Sequence, residues 1–421
     1  MDKKVEIILI NISGTDHPGV TAALTEILAR YGAEILDIGQ ADIHHTLSLG
    51  ILIKTDSSVS GDLLKDALFK GYELGVKIRF TPVGVDAYNE WVTLQGKGRW
   101  IITILGRKID AISLAAVSRT ITAQGMNIDG IQRLTGRAPL DSREEPQSKA
   151  CIEFSVRGNP ENISTMQGEF MRIASEQGVD ISLQEDTMYR RCRRLVCFDM
   201  DSTLIGTEVI DELAMKAGVG DKVKAITERA MRGEIDFNES FRERVALLEG
   251  LDESVMKEIA ENLPITEGVE RMMTVLKRAG YKTAILSGGF TYFGQYLKQK
   301  FGFDYVYANE LEIVDGKLTG RHLGDIVDGK RKAELLRLLC QVENIDIRQA
   351  IAVGDGANDL PMLATAGLGI AFHAKPKVKQ TARQSISTIG LDGILYFLGF
   401  KDSFITPTSS KTTVNPSTCA L

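Results

Sequence analysis

An order of elements that runs once, repeats, and then gives way to a different order constrains this chain more than any single residue. Residues 5–13, VEIILINIS, have the apolar run of a strand, and HPGVTAALTEILARYG follows with Val20, Leu24, Ile27 and Leu28 on one helical face. Asp16 is placed to cap that helix, Pro18 suits its first turn and Gly32 its stop. Two strand patterns, AEILDIGQADI and LSLGILIKT, then a helix, GDLLKDALFKGYEL, and a strand, VKIRFTPV, complete the order βαββαβ. The order returns in RWIITILG, DAISLAAVSRTITAQG, MNIDGIQRLT, ACIEFSVRG, ENISTMQGEFMRIASEQG and VDISLQ, with Leu114, Val117 and Ile121 aligned on its first helix. Gly32 and Gly125 close the two first helices 93 residues apart, which marks an internal duplication. One such unit per half predicts two α+β ferredoxin-like sandwiches, the second carrying GRAPLDSREEPQSK as an exposed loop.

From Leu195 onward the pattern changes. Short apolar strands, RLVCFDM, KTAILSGG and QAIAVGDG, alternate with helices, which predicts a Rossmann-like α/β core built on a parallel sheet. A largely helical insert, about residues 208–264, separates the first two strands and reads as a small cap. The expected boundaries are 1–86 and 95–187 for the duplicated units, 194–400 for the α/β domain, and 401–421 for a disordered tail rich in Ser, Thr and Pro. Between the second unit and the α/β domain, TMYRRCRR reads as a solvated linker or an acid-paired face rather than a nucleic-acid surface.

At 421 residues the chain is too long for one core, and 43% hydrophobic with 25% charged residues is ordinary globular composition. A net charge of −6 argues against general nucleic-acid binding. Five cysteines, Cys151, Cys192, Cys197, Cys340 and Cys419, show no CxxC spacing and suit a reducing compartment. No run reaches the ~18 apolar residues of a membrane span. The basic, apolar start lacks a small-residue cleavage site, so the expected location is the cytoplasm.

In LVCFDMDSTLIGTEV an apolar strand leads into Asp199 and Asp201, with Glu208 beyond. Side chains alternate along extended backbone, so the two aspartates can point to one place at the strand's carboxyl end, where open α/β sheets bind ligands. Close carboxylates repel, and a divalent cation relieves that repulsion. An oxygen-only set without organised histidines or cysteines favours Mg²⁺. GDGANDLPM ends the third strand with Asp355 as a further ligand and with Asn358 and Asp359 to orient the site. Each piece alone is common turn chemistry; it is their joint order after apolar strands that argues for a site. His17 reads as capping or lining its loop, while His44 and His45, adjacent on a strand, would point to opposite faces and make a poor metal pair.

DMDSTL, SGGF, the lysine in GKRKAELL and GDGANDLPML resemble the four motifs of the haloacid dehalogenase superfamily, and residues 195–400 are similar to its phosphoserine phosphatases. The paired front units resemble ACT domains. The resemblance implies hydrolysis of O-phospho-L-serine to L-serine and phosphate, the last step of serine biosynthesis. Asp199 is then the nucleophile that forms an aspartyl phosphate, and Asp201 the general acid and base. Mg²⁺ falls to Asp199, Asp355 and the backbone carbonyl of Asp201, with Asp359 behind them. Ser287, the Gly288 N–H and Lys332 take the phosphoryl oxygens, Lys330 being an outside candidate. Glu208 reads the substrate's ammonium and Arg244 its carboxylate; Met231 and Phe237 form an apolar lid, and Asn358 joins the substrate site. ACT domains pair side by side and bind small amino acids, which implies a homodimer or higher homo-oligomer. L-Serine is the expected effector at GTDHPGV, with Asp16, Gly19, Asp37, Asn127 and Asp129 as candidate contacts. The second unit has GRKIDAI there and lacks the Asp-x-Pro-Gly pattern, and a pure dimerisation module is the alternative to a sensor. Other open readings are a phosphatase or phosphotransferase for another small phosphomonoester, and an amino-acid sensor whose catalytic half is only a scaffold.

Overall fold

Alternating apolar residues fold β1 (Val5–Thr15) with Ile8, Ile10 and Ile12 on one buried face. The structure, a computed structural model, describes residues 5–93, 98–137, 148–382 and 384–405. It divides into two units, Met1–Lys97 and Gly98–Leu421.

In the first unit β1 is followed by α1 (Val20–Arg30), β2 (Glu34–Ile43), β3 (Thr46–Asp56), α2 (Ser60–Glu73) and β4 (Val76–Val83). The sheet runs β2-β3-β1-β4 with every pair antiparallel, and Val20, Leu24, Leu28 and Leu63 of the helices close its core. That is the expected βαββαβ sandwich. A helix the sequence did not signal, α3 (Val85–Thr93), follows it. Asp16 does not cap α1: Gly19, at φ 99°, holds that position, and the Asp16 N–H donates to the His45 carbonyl. His44 and His45 are not on a strand. They make the two-residue turn joining β2 to β3, with φ 51° and 59°, left-handed values that match the twist of a hairpin. His17 lines its loop as expected, its Nε2 bonded to the Leu74 carbonyl.

The second unit opens with the repeat: β5 (Arg99–Gly106), α4 (Ala111–Ala123), β6 (Asn127–Arg133), β7 (Ala150–Arg157), α5 (Ile163–Gln177) and β8 (Asp180–Glu185), in the sheet order β6-β7-β5-β8. Ile102, Ile104, Phe154 and Val156 face Val117, Ile121 and Phe170 of the two helices. Most of the GRAPLDSREEPQSK loop lies outside the described residues. The connector is acid-paired, with Arg191 and Arg194 still exposed. It contains α6 (Met188–Arg191), with Arg190 on Glu153 and Arg191 on Asp186, each at 2.8 Å, while Arg193 is buried against Gln184.

β9 (Leu195–Phe198) is buried on both sides, Leu195 and Cys197 facing one core and Val196 and Phe198 the other. Four helices follow as the insert: α7 (Val209–Lys216), α8 (Gly220–Met231), α9 (Phe237–Ala246) and α10 (Ser254–Glu261). The chain enters and leaves it through one narrow waist, an Ile205–Ile265 bridge with the Gly206 N–H donating to the Pro264 carbonyl at 2.8 Å. Next come α11 (Val269–Arg278), β10 (Lys282–Phe290), α12 (Thr291–Phe301), β11 (Tyr305–Val314), β12 (Lys317–Leu323), α13 (Gly329–Val342) and β13 (Ala350–Gly354). The chain then forms α14 (Leu360–Thr365), β14 (Leu368–Phe372), α15 (Pro376–Thr381), β15 (Gln384–Ile386), α16 (Gly393–Phe397) and α17 (Asp402–Ile405). The sheet order is β12-β11-β10-β9-β13-β14-β15, parallel except for the β11–β12 hairpin at one edge. The chain moves outward from β9 on one side and returns to its other side at β13, so a switch point opens at the carboxyl ends of these two strands. No helix among the described residues is long and apolar enough to cross a membrane.

Within this unit the duplicated sandwich is docked to the α/β sheet by buried polar groups. The Gln384 amide bonds both N–H and carbonyl of Leu183, and Asp180 accepts from the Ser387 and Thr388 amides. Asp392 is fully buried and takes Lys149 at 2.6 Å and Arg271 at 2.6 Å. Arg271 also reaches Asp402, so the expected disordered tail does not begin at residue 401; residues 406–421 lie outside the described residues. Replacing Asp392 by alanine removes the buried anion shared by Lys149 and Arg271, leaving Arg271 with Asp402 and Lys149 with Glu267 at 3.8 Å. The expected loss of about 2–4 kcal/mol should appear as a lower midpoint in thermal or urea unfolding; an unchanged midpoint would show that the cluster contributes nothing.

Candidate active site

Three loops meet at the switch point. Asp199 follows β9 directly, its N–H donating to the Val353 carbonyl at 2.8 Å, so it continues the pairing of β9 with β13. Asp355 and Asp359 follow β13, and Lys332 projects from the first turn of α13, whose N-terminus Asp328 caps by accepting from the Arg331 N–H. The Lys332 ammonium is fully buried and lies 2.7 Å from Asp199 Oδ1 and 2.7 Å from Asp359 Oδ1. Burial works against its charge, but Asp199 and Asp359 outweigh that and hold it protonated. Lys330, the alternative, is exposed and pairs with Glu334.

Asp199 Oδ1 also accepts the Met200 N–H, while its Oδ2 has no hydrogen bond among the described residues. Asp355 takes the Thr203 hydroxyl; burial, then Asp359 and Glu208, push its carboxyl up to about 7. Carboxylate oxygens of Asp199, Asp355 and Asp359 lie within 4.8 Å of one another, an all-oxygen set that suits a hard divalent cation. Asp359 is the most committed of the three, since Lys332 holds one oxygen and the Gly356 N–H the other. That favours Asp199 and Asp355 as ligands with Asp359 behind them. Burial, reinforced by Glu208 and Asp199, raises the Asp201 carboxyl well above its ordinary value, the direction that favours its protonated form.

β10 ends in the turn Ser287-Gly288-Gly289, where the Gly289 N–H donates to Ser287 Oγ at 2.9 Å. A Cβ on Gly289 would lie 2.5 Å from Asp201 Oδ2, so only glycine lets this turn approach the acid. The insert reaches the same turn through Phe237, whose ring edge lies where a Gly288 side chain would be. Arg244 is largely buried, which lowers its pKa, but Glu208, Asp211 and Asp201 favour its charge. Glu208 precedes α7 and accepts the Ser202 hydroxyl at 3.0 Å. Met231 is 65% exposed at the end of α8, with its sulfur 3.9 Å from Lys375 Nζ. Asn358 has its carbonyl packed on Gly329 of α13. Sequence reasoning missed Thr203 and Ser202, although both lie inside the quoted DMDST; their hydroxyls select Asp355 and Glu208 only through the fold.

Of the candidate effector residues, Asp16, Gly19 and Asp37 lie in the first unit. The Gly19 position is open, and Asp37 accepts its neighbour's N–H. Asn127 and Asp129 lie in the second unit, bonded to each other, with Asp129 also paired to Arg157. Asp129 borders a cavity of about 370 Å³ between the sheet and the connector. Two of that cavity's guanidiniums are already matched, Arg190 by Glu153 and Arg191 by Asp186.

Residues 6–81 and 99–184 each match the ACT domain, and residues 196–364 match the haloacid dehalogenase-like hydrolases. The chain is 39% identical over 400 residues to phosphoserine phosphatase SerB2 of Mycobacterium tuberculosis, covering 95% of this chain and 94% of that one. It is 39% identical over 396 residues to the phosphoserine phosphatase of Streptomyces coelicolor, covering 94% and 92%. The crystal structure of a probable phosphoserine phosphatase from Vibrio cholerae, in unliganded form, superposes with a TM-score of 0.57 at 35% identity, over 72% of this chain and 86% of that one. With its acids, lysine and serine turn gathered at one switch point and this likeness along nearly its whole length, the chain belongs to the phosphoserine phosphatases, as a haloacid dehalogenase-type enzyme carrying two ACT domains.

Proposed function

We propose that this phosphatase hydrolyses O-phospho-L-serine through a phosphorylated Asp199. The observation that carries the reading is the buried Lys332 ammonium bridging Asp199 and Asp359, which ties up one Asp199 oxygen and leaves the other without a hydrogen bond among the described residues. Asp199 Oδ2 attacks phosphorus while Asp201, protonated at the outset, gives its proton to the departing serine oxygen. Asp201 then takes a proton from the water that attacks the aspartyl phosphate, and phosphate leaves with Asp199 restored. Ser287, the Gly288 N–H and Lys332 hold the phosphoryl oxygens throughout. Asp199, Asp355 and the Asp201 carbonyl would hold Mg²⁺, which when bound would supply charge neutralisation at the phosphoryl group. Glu208, steadied by Ser202, receives the ammonium and Arg244 the carboxylate. Phe237 and Met231 cover the bound substrate and exclude bulk water.

On this reading residues 1–86 and 95–187 are regulatory or assembly modules and 194–400 is the catalytic domain. L-Serine, the product, is the amino acid proposed to bind at the Gly19 loop, where α1 begins without a side-chain cap. Assembly into a homodimer or higher homo-oligomer through these modules belongs to the same reading.

Phosphate release across a panel of small phosphomonoesters, with and without Mg²⁺, is the direct test. Phosphoserine should be preferred and chelation should abolish turnover; no preference would point to another small phosphomonoester. Glu208→Gln and Arg244→Ala should each lower kcat/KM for phosphoserine about 10- to 100-fold more than for an aryl phosphate, the worth of one charged hydrogen bond. Equal losses on both substrates would remove these residues from substrate recognition. Gly289→Ala, which forces a methyl against Asp201 and Met200, should cut turnover of either substrate by about 100-fold or more while the circular dichroism spectrum stays that of the parent.

A further inference from the structure

A buried asparagine outside all four motifs ties two of the phosphate-facing pieces together. Asn309 sits on β11 opposite Phe290 of β10 and is 2% exposed. Its Nδ2 donates to the Gly288 carbonyl at 2.8 Å, and its Oδ1 accepts from the Val327 N–H at 2.8 Å. Both partners are backbone groups of fixed polarity, so the amide has a single orientation. Thr291 Oγ1 donates to the carbonyls of Ala308 and Asn309 at 3.0 and 3.2 Å, which anchors the strand at the same point.

Each bond ends on a segment that matters for phosphate. Gly288 and Gly289 have the widest backbone freedom in the turn, and a flipped Gly288–Gly289 peptide would turn a carbonyl toward Ser287 Oγ, which the Gly289 N–H now holds in place. Holding the Gly288 carbonyl from behind prevents that flip. On the other side, Val327 precedes Asp328, which caps α13 and whose carbonyl accepts the Lys332 N–H at 2.9 Å. The position of Val327 therefore sets where α13 starts and where the Lys332 ammonium emerges. One primary amide thus fixes the serine turn relative to the lysine helix.

We propose that Asn309 is a positioning residue for phosphoryl transfer, keeping the Ser287–Gly289 turn and the start of the Lys332 helix in one register so that their donors meet the same phosphoryl oxygens. The proposal rests on the phosphoryl-transfer reading of this site, not on the choice of phosphoserine as substrate. Donors stabilise developing charge only when they need no rearrangement at the moment of reaction. The loss of Asn309 should therefore act on kcat rather than on substrate binding.

The test compares Asn309→Ala, Asn309→Ser and Asn309→Asp in the full chain, on phosphoserine and on an aryl phosphate. Inhibition by orthovanadate, which mimics the five-coordinate phosphoryl group, and the thermal midpoint are measured alongside. Asn309→Asp keeps the acceptor for Val327 and loses the donor to Gly288, so it separates the two bonds. The expected result is a fall in kcat of about 10- to 100-fold on both substrates, with KM little changed and orthovanadate affinity weakened in parallel. Thr291→Val, which loosens the same strand without removing either bond, should keep kcat and orthovanadate affinity close to those of the parent. Variants that unfold at lower temperature yet keep the parent's kcat per active site and orthovanadate affinity would overturn the proposal. So would a loss confined to phosphoserine. Should alanine prevent folding, the serine and aspartate variants decide by the same readouts. A parent enzyme that ignores phosphoserine but cleaves the aryl phosphate would sink the substrate assignment while leaving this test intact.

Discussion

The catalytic domain is organised around one buried cation. Lys332 is fully enclosed, and its ammonium is shared by Asp199 and Asp359 at 2.7 Å each. Three carboxylates brought within 4.8 Å of one another repel, and at such a site burial adds to the cost of their charge. Lysine offsets part of that cost and, with the Met200 N–H, holds Asp199 by its Oδ1. The rest of the architecture delivers the pieces: a parallel sheet that reverses direction at β9, two strand ends that face one crevice, and α13, whose first turn carries the lysine.

A second constraint is close approach. Gly354 lies so near Asp359 that a Cβ there would sit 2.4 Å from its carboxyl, and Gly289 stands in the same relation to Asp201. The site is tight because backbone, not side chain, lines it next to the acids. This is what lets the Ser287–Gly289 turn lie directly against Asp201 and the 355–359 loop against β13. Two residues past the Ile205–Ile265 waist of the insert, Glu267 is paired with Arg107 of the docked sandwich at 2.6 Å. The waist and the docking surface are thus parts of one continuous structure.

Much of this was legible in the residues. Both βαββαβ orders, the β9, β10 and β13 strands, the helical insert and the acids at the strand ends follow from periodicity and turn chemistry, which are local. The order of Lys332 over Lys330 came from the motif, and burial supports it. What stayed hidden was non-local. The edge hairpin β11–β12 and the short strands β14 and β15 carry little periodic signal. His44 and His45 look like strand residues until the hairpin forces a turn there. Asp16 looks like a cap until its N–H is taken by His45 and Gly19 assumes the position. The TMYRRCRR basic run reads as solvated or acid-paired, and only the fold shows which acids meet it, Glu153 for Arg190 and Asp186 for Arg191.

The sequence by itself determined the modules, their order and the chemical types at the site, because strand and helix periods and the spacing of Asp199 and Asp201 are properties of neighbouring residues. Only the tertiary structure decided which groups bond. Lys332 lies 133 positions after Asp199 and 27 before Asp359, and Asn309 bridges Gly288 to Val327 across three elements. Such contacts arise from the order in which strands lie in the sheet, and strand order is set by long-range burial rather than by any local pattern.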